Sequence, residues 1–351
     1  MNHIAVLGLG QVGLLAARLL HRSGFTVHGY DLTPPTAATP FPINALDTGN
    51  AEALSKALHR VDAVLSCLPY HLNTAVAHAA HGAGIHYFDL TEDVHTTDTV
   101  AALAADARGV MAPQCGLAPG LVGVVAADQI HAFDHCRSCR LRVGALPQHP
   151  TGLMGYAFNW SPVGVVNEYL NDCHVIEDGE HKTVSAMEWL ETVYIDGTRL
   201  EAFTTSGGLG TLCETYLGRV DNLDYKTLRY PGHAELMNFF FHELLMRDRR
   251  EEAGTILVNA KPPTDNDVVY IHVATEGTLG GRLSRREFVR VYRPLTLDGL
   301  QHTAIAWTTS ASATAVIELV RNGALPQAGF LRQEHIPLHA LLQTHAGRLF
   351  S

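Results

Sequence analysis

The chain has 351 residues, of which 46% are hydrophobic and 17% are charged, and its 35 acidic and 25 basic residues leave a formal charge of −10. This length exceeds what a single hydrophobic core usually supports, so we expect two domains. The acidic balance argues against nucleic acid or an anionic membrane as the main partner and favours a small molecule.

The chain opens with MNHIAVLGLG, which has neither a basic leader nor an apolar helix of signal-peptide length. No apolar run approaches the roughly 20 residues that cross a bilayer. We therefore expect a cytoplasmic protein with reduced cysteines and no membrane partner. Cys136 and Cys139 form a C-x-x-C without a second pair at zinc-ribbon spacing, which favours structural thiols over a metal site.

Strand-like runs alternate with helical patterns over residues 1–118. The strand candidates are HIAVLGL, FTVHGY, PINAL, VDAVLSC, IHYFDL and GVMAPQ, and stretches such as QVGLLAARLLHRSG between them carry apolar residues at helical spacing. This alternation predicts an α/β fold, with an N-terminal Rossmann domain whose doubly wound parallel sheet is covered on both faces.

The pattern changes after residue 118. The helix-like PGLVGVVAADQIHAF is followed by the strand-like segments RLRVGAL, VVYIHVATEG and EFVRVYRPL. We expect residues 119–308 to form an α+β domain for substrate binding and dimerisation. Residues 309–351 begin with a helix and are expected to pack back on the Rossmann domain. Ser161 and Pro162 suit the N-cap and first position of another helix.

A glycine turn marks the cofactor site. Gly8, Gly10 and Gly13 form G-x-G-x-x-G between a strand and a helix, a context typical of dinucleotide binding. Asp31 ends the second strand, where a carboxylate accepts hydrogen bonds from the adenosine ribose and repels a 2′-phosphate, so we expect NAD rather than NADP. The predicted cofactor-binding residues are Gly8, Gly10, Gln11, Val12, Gly13, Asp31, Leu68, Pro69, Tyr70, Asn73, Cys115, Gly116 and Leu117.

Acidic residues follow the fifth predicted strand in DLTED. Ligands of open α/β sheets gather at the carboxyl ends of the strands. We therefore predict that Asp89 is catalytic and that Glu92 binds substrate, near a cationic amine. Ordinary solvated loop acids are the alternative, and the sequence leaves open which of the two faces the amine.

Several blocks resemble the saccharopine dehydrogenase family, and within it the lysine 6-dehydrogenase branch. They are CGLAPG, YAFNWSPVGVVNEY, LEAFTTSGG, LDYKTLRYPGH and GALPQAGFLRQE, in an order that matches the family. The resemblance implies a homodimeric, NAD(P)-dependent oxidoreductase that acts at a C–N bond of an amino-acid substrate.

In this setting, the LDYKTLRYPGH block supplies residues for an amino-acid substrate. Arg229 suits a carboxylate because its planar fork binds both oxygens. Lys226 and His233 remain as catalytic residues for proton transfer, and their roles stay open between them. A turn with surface cations is the alternative. The TTSGG block adds Thr204, Thr205 and Ser206 as substrate-binding hydroxyls.

The leading functional hypothesis is NAD-dependent oxidative deamination of L-lysine at its ε-carbon. Only the neutral amine can release hydride from its carbon, and an amine of pKa ~10.4 needs about 4.6 kcal/mol to deprotonate at pH 7, which predicts an alkaline optimum. A saccharopine- or opine-type dehydrogenase is the nearest alternative. A non-catalytic NAD-binding dimer is the second.

Overall fold

The computed structural model describes residues 1–351, which divide into two compact units. Unit 1 comprises residues 1–124 and 306–351, and unit 2 comprises residues 125–305. The division points fall inside helices α5 (Leu121–His131) and α10 (Ala304–Arg321), a few residues from the pattern changes at 118/119 and 308/309. None of the helices combines the length and apolarity needed to cross a lipid bilayer.

Unit 1 alternates strands and helices along the chain. Besides parts of α5 and α10, its elements are β1 (His3–Leu7), α1 (Gln11–Arg22), β2 (Thr26–Asp31), β3 (Ile43–Ala45), α2 (Ala51–Leu58), β4 (Ala63–Ser66), α3 (Tyr70–Ala83), β5 (His86–Asp89), α4 (Val94–Leu103), β6 (Val110–Ala112), β17 (Gly329–Phe330) and α11 (Leu338–Gln343). Short 3-10 turns cover Gln333–His335 and Gly347–Phe350.

The seven strands of unit 1 form one parallel sheet in the order β17-β6-β5-β4-β1-β2-β3. All four residues of β4 are buried, as expected for a parallel strand covered on both faces. The predicted fold class is therefore confirmed. The carboxyl ends of β1, β4 and β5 lie side by side, with Leu7 opposite Ser66 and Ser66 opposite Asp89.

Unit 2 is a mixed α+β unit. Its elements are β7 (His135–Pro147), α6 (Pro162–Leu170), β8 (Cys173–Glu177), β9 (Glu180–Val184), β10 (Glu191–Ile195), β11 (Thr198–Thr204), α7 (Leu212–Tyr216), β12 (Val220–Arg229), α8 (His233–Asn238), α9 (Arg250–Ala260), β13 (Asp267–Leu279), β14 (Arg282–Tyr292), β15 (Leu295–Leu297) and β16 (Leu300–His302). A π-helical turn covers Phe239–Glu243.

The main sheet of unit 2 runs β10-β11-β12-β7-β13-β14, with β8 paired to β12 and β9 paired to β8. Only the β12 and β7 pair is parallel, and β7 and β13 extend the predicted strand cores to 13 residues each. The hydroxyl of Ser161 accepts a hydrogen bond from the Gly164 amide at 3.0 Å, so it caps α6 as predicted. The apolar core of the unit includes Phe158, Tyr169 and Phe203.

Candidate functional site

The glycine turn between β1 and α1 has the shape that a dinucleotide requires. Gly8 has a φ of 83°, and a Cβ atom there would lie 2.8 Å from the carbonyl oxygen of Cys67. A Cβ atom at Gly13 would overlap the carbonyl oxygen of Gly8. At Gly10 a Cβ atom would meet nothing within 4 Å, so the second glycine leaves open space before α1. The unpaired N–H groups of the first helical turn suit a pyrophosphate there.

Asp31 lies beside this turn at the end of β2. Its Oδ2 atom accepts a hydrogen bond from the Leu9 amide at 2.6 Å, and Oδ1 accepts one from the Thr33 amide at 2.8 Å. Both bonds fix the carboxylate next to the glycine turn while the residue stays partly exposed. This geometry fits the ribose contact expected from the sequence.

The other predicted cofactor residues differ in accessibility. Pro69 and Gln11 are exposed, and Val12, Leu68 and Tyr70 are partly exposed. Asn73 is buried, where its Oδ1 atom accepts a hydrogen bond from the Ser66 hydroxyl at 2.7 Å. The segment 115–117 is also buried. Asn73 and residues 115–117 therefore pack inside the protein and present no side chain to a ligand in this structure.

Asp89 is fully buried at the end of β5. It accepts hydrogen bonds from the Tyr87 hydroxyl at 2.7 Å and from the amides of Thr91 and Gln114 at 2.9 and 3.0 Å. Burial raises the pKa of Asp89 to about 6, although these donors oppose the shift. Asp89 therefore joins two loops of unit 1, which differs from the catalytic role expected for it.

Glu92 is the acid of DLTED that is available for chemistry. The neighbouring carboxylate of Asp93 caps α4 by accepting a hydrogen bond from the Thr96 amide at 2.8 Å. Glu92 is partly exposed, and its carboxylate receives no hydrogen bond from another residue. Desolvation, followed by the charges of Asp93 and Asp89, raises the pKa of Glu92 to about 7. A carboxyl group with this pKa can gain or lose a proton near neutrality.

The loop after β6 is held by the C-terminal segment of unit 1. The side-chain amide of Gln333 donates to the Pro113 carbonyl at 2.9 Å and approaches Sγ of Cys115 at 3.4 Å. Burial raises the pKa of the Cys115 thiol above its ordinary range. Cys115 therefore packs as an inert thiol, and Gln333 is a contributor that the sequence reasoning missed.

The LDYKTLRYPGH block does not bring its three predicted residues to one point. Lys226 and Arg229 lie on β12, and His233 begins α8 after the turn. Residues three apart on a strand point to opposite faces, so the two cations are separated by the sheet. All three side chains are buried, at 5%, 2% and 1% exposure. The surface-cation alternative is therefore wrong.

Arg229 is a buried guanidinium without a salt bridge. Its Nε atom donates to the Tyr169 hydroxyl at 2.7 Å, and Nη1 donates to the Thr227 hydroxyl at 2.6 Å and the Leu228 carbonyl at 2.8 Å. Its Cζ atom lies 4.6 Å from the ring centroid of Tyr156. Arg229 forms no salt bridge, in contrast to Arg142 and Lys226, the other two buried cations. Desolvation lowers its pKa, but Tyr156, Tyr169 and the charge of Glu168 raise it above its ordinary range.

His233 is held as a neutral ring. Its Nδ1 atom lies 3.0 Å from the Met154 carbonyl, which can only accept, so Nδ1 carries the proton. Nε2 is then an acceptor and receives a hydrogen bond from the Tyr169 hydroxyl at 3.0 Å. Burial, with the charge of Arg229, lowers the pKa of His233 to about 3. The proton-accepting role expected of His233 is not supported, because both ring nitrogens are occupied and the ring resists protonation.

Lys226 belongs to an ionic cluster on the other face of the sheet. Its Nζ atom donates to the Trp189 carbonyl at 2.6 Å and lies 3.1 Å from Oε2 of Glu191. Glu191 also pairs with Arg142, which lies opposite Lys226 and contacts Asp224 at 2.5 Å. Desolvation, followed by the charge of Arg142, lowers the pKa of Lys226, but its contacts are structural.

The TTSGG hydroxyls also bind mainly to the protein. Thr204 donates to the Ser185 carbonyl at 2.9 Å, and Ser206 donates to the Asp172 carbonyl at 2.9 Å. The hydroxyl of Thr205 is buried without a hydrogen-bond partner. Of the three predicted substrate-binding hydroxyls, only that of Thr205 is left for a ligand.

The residues that organise Arg229 were missed from the sequence. Tyr156 and Tyr169 are the first and last residues of YAFNWSPVGVVNEY, so the block that carries the resemblance held the signal. Glu201 was missed as well. It accepts hydrogen bonds from the amides of Gly232 and Ala234 at 2.8 and 2.7 Å and so fixes the start of α8 around His233.

The fold and the glycine turn define a protein with a nicotinamide-dinucleotide-binding domain of the Rossmann type followed by an α+β unit. Comparison with known families gives the more particular identity. Residues 4–112 match the saccharopine dehydrogenase NADP binding domain, and residues 116–348 match the saccharopine dehydrogenase C-terminal domain. The second match spans more than half of the chain, so the chain belongs to the saccharopine dehydrogenase family.

Curated relatives are distant and longer. The mitochondrial α-aminoadipic semialdehyde synthase of Mus musculus is 26% identical over 209 residues, which are 56% of this chain and 22% of that protein. The saccharopine dehydrogenase [NADP(+), L-glutamate-forming] of Schizosaccharomyces pombe is 26% identical over 154 residues, which are 42% of this chain and 34% of that protein. The chain therefore spans about a fifth to a third of the length of these two relatives.

Solved structures share the fold over nearly the whole chain. Apo saccharopine dehydrogenase (L-Glu forming) from Saccharomyces cerevisiae superposes with a TM-score of 0.77 at 17% identity and covers 98% of both chains. An engineered D-amino acid dehydrogenase bound to NADP+ reaches a TM-score of 0.51 at 13% identity, over 97% of this chain and 95% of that one. At these identities, the likeness extends to the fold.

Proposed function

We propose that this protein is a nicotinamide-dependent oxidoreductase that oxidises a C–N bond of an amino-acid substrate, and that it deaminates L-lysine or a similar diamino acid at the ε-carbon. Unit 1 supplies the dinucleotide site at the glycine turn. Unit 2 supplies carboxylate recognition at Arg229. When bound, the nicotinamide would accept a hydride from the carbon that carries the amine.

The buried guanidinium of Arg229, which forms no salt bridge, carries this proposal. A buried charge without a directly contacting counter-charge is costly, and the neighbouring Glu168 acts on Arg229 without a salt bridge, so an anionic ligand could still contact the guanidinium. The Tyr156 ring and the Tyr169 hydroxyl hold the guanidinium plane in place. Its Nη2 atom makes no hydrogen bond within the protein, which leaves a donor for a carboxylate oxygen.

Glu92 is the best candidate for the proton acceptor. Oxidation requires the neutral amine, whose proton must be removed before hydride transfer. Neither of the expected acceptors suits this task, because His233 is held neutral with both nitrogens occupied and Lys226 is tied to Glu191. Glu92 stands at the carboxyl edge of the parallel sheet with a pKa of about 7. As a carboxylate it can also attract a cationic amine.

NAD is the cofactor that we propose. The carboxylate of Asp31 is fixed beside the glycine turn by the Leu9 and Thr33 amides, where it would repel a 2′-phosphate and accept from ribose hydroxyls. The name of the matching family domain points to NADP instead. We give the carboxylate more weight because the repulsion acts directly on the group that distinguishes the two cofactors.

A saccharopine-type reaction is the second candidate, favoured by the names of the fungal relatives. Saccharopine carries more carboxylates than lysine and calls for more cations. Of the three buried cations, only Arg229 forms no salt bridge. A substrate with a single carboxylate, such as lysine, needs only this one cation and therefore fits the site better than saccharopine.

The test incubates the purified chain with NAD or NADP and a panel of lysine, ornithine, simple amines and saccharopine, and follows NADH or NADPH absorbance and released ammonia. We expect NADH and ammonia with lysine. NADPH or NADH from saccharopine alone would favour the second candidate. Cofactor binding without turnover across the panel would contradict both and indicate a non-catalytic dinucleotide-binding protein.

A further inference from the structure

The loop between β9 and β10, residues 185–190, has a strained backbone. Met187 and Trp189 adopt left-handed φ angles of 64° and 54°. Such angles disfavour residues with large side chains, and two of them in one short loop persist only where surrounding contacts enforce them. The loop also exposes Trp189 and Leu190 at 37% and 61%.

Thr204 enforces one side of the loop. Its amide donates to the Glu188 carbonyl at 3.0 Å, and its carbonyl accepts from the Met187 amide at 2.8 Å. Its hydroxyl donates to the Ser185 carbonyl at 2.9 Å and accepts from the Glu188 amide at 3.0 Å. One fully buried threonine therefore binds three residues of the loop.

Lys226 enforces the other side. It lies opposite Thr204 in the pairing of β12 with β11, and its ammonium donates to the Trp189 carbonyl at 2.6 Å. Glu191, the first residue after the loop, holds the same ammonium at 3.1 Å. These contacts account for a buried lysine that no proton-transfer role explains.

The loop reaches the surroundings of Arg229 through Met187. The Met187 side chain is 7% exposed and belongs to the apolar cluster that contains Tyr156, Tyr169 and Phe203. Tyr156 and Tyr169 contact the Arg229 guanidinium, and the Phe203 ring stacks on His233 with centroids 6.3 Å apart. Met187 and the tyrosine walls of the carboxylate site thus belong to one close-packed apolar cluster, through which a change in the loop can reach those walls.

We propose that Lys226 and Thr204 are positioning residues. They hold the 185–190 loop in its strained conformation, so that Met187 stays packed in the apolar cluster that keeps Tyr156 and Tyr169 in place around Arg229. This assignment rests on the proposed function, since it concerns the same amino-acid site. In this assignment Lys226 acts through the hydrogen bond from its ammonium to the Trp189 carbonyl and not through proton transfer.

Hydrogen–deuterium exchange of the full chain without ligands tests the holding role. We expect Thr204→Val and Lys226→Met to speed exchange of the Met187 and Glu188 amides by about 10-fold, since each loses loop hydrogen bonds, with strand β7 unchanged. Lys226→Arg should restore slow exchange because it keeps a donor for Trp189. Lys182→Met is the matched control, since Lys182 pairs with Glu177 on the adjacent hairpin. Unchanged loop exchange in both test variants would overturn the proposal.

Ligand binding tests the link between the 185–190 loop and the carboxylate site at Arg229. We expect Lys226→Met to weaken L-lysine binding, measured by calorimetry with NADH present, by about 10-fold, with an unchanged dissociation constant for NADH. The rise of turnover at alkaline pH should persist in this variant, whereas its disappearance would restore Lys226 as the base and overturn the proposal. Faster loop exchange with unchanged L-lysine affinity would refute the link to Arg229. If wild type binds no amino acid, the proposed function fails, and loop exchange still decides whether Lys226 and Thr204 hold the loop.

Discussion

The hydroxyl of Tyr169 lies 3.0 Å from Nε2 of His233 and donates a hydrogen bond to that nitrogen. The same oxygen accepts a hydrogen bond from Nε of Arg229 at 2.7 Å. One phenol thus joins a buried cation to a buried neutral ring. Since Nδ1 of His233 is bound to the Met154 carbonyl, the direction of every hydrogen bond in this chain of groups is determined.

The first prediction concerns His233→Gln. With its folded pKa at about 3, His233 binds fewer protons in the folded than in the unfolded chain between pH 6.5 and 3. Its neutral form stabilises the fold above pH 6.5, and this contribution is lost as the pH falls. We expect the variant to lose about 2 kcal/mol at pH 7 from broken buried hydrogen bonds, and the deficit to shrink toward pH 4.5. Urea unfolding at both pH values measures this, and a constant deficit would contradict it.

Asp89→Asn should show the opposite sign. The raised pKa of about 6 means that the folded chain binds more protons than the unfolded chain between pH 3.8 and 6. The contribution of Asp89 to stability is therefore present at low pH and is lost as the pH rises through 6. We expect wild type to lose stability, on the order of 2–3 kcal/mol, over this window relative to the variant. Parallel unfolding curves at pH 4.5 and 7.5 check it, and equal pH dependence would refute the assignment.

Arg229→Met should separate substrate binding from cofactor binding. We expect L-lysine affinity to fall about 100-fold because a charge-assisted bidentate contact is lost, while NADH affinity stays within about twofold. The change also removes the hydrogen-bond donor of Tyr169, Thr227 and the Leu228 carbonyl, so urea unfolding of the variant accompanies the binding measurement. Arg249→Met, which alters an exposed arginine, is the control. Calorimetry decides, and an equal loss for both ligands would indicate general disruption.

Glu92→Gln should remove one of two pH-dependent steps. In wild type we expect kcat/KM to rise near pH 7 as Glu92 ionises and again toward pH 10 as free lysine loses its proton. The variant should keep only the second rise and lose about 10²–10⁴-fold in kcat. Asp98→Asn, an exposed acid on α4, is the control. A variant that retains the lower step would exclude Glu92 as the proton acceptor.

Asp31→Ser should change the cofactor preference. Removal of the carboxylate takes away the ribose contact and the repulsion of a 2′-phosphate, so we expect NADH binding to weaken about 10-fold and NADPH binding to strengthen. Asp47→Ser, at an exposed turn after β3, is the control. Fluorescence titration with both reduced cofactors measures the ratio. Wild type that already prefers NADPH would show that the family domain name describes this chain better than Asp31 does.

Much of the fold was determined by the order of local patterns. Six short runs in the first 118 residues became β1 to β6, and β1, β4, β5 and β6 are mostly buried, as expected for continuous apolar runs in a sheet covered on both faces. The glycine turn and Asp31 were equally readable, since the backbone of such a turn excludes side chains at Gly8 and Gly13 whatever surrounds it. The cap of α6 by Ser161 depended only on residues three positions apart.

The roles of the candidate catalytic residues could not be predicted from local sequence patterns. Lys226, Arg229 and His233 are close in sequence, yet the alternation of β12 places the first two on opposite faces, and which face meets which partner depends on strands β7, β10 and β11. Burial and hydrogen-bond partners decide whether a group acts as an acid, acts as a base or has only a structural role. For His233 and Lys226 those partners are Tyr169, Met154 and Glu191, which are distant along the chain. The sequence by itself determined the elements and the cofactor turn, because these depend on neighbours in the chain. Only the tertiary structure decided which charges are free to meet a ligand, because charge, burial and pairing depend on neighbours in space.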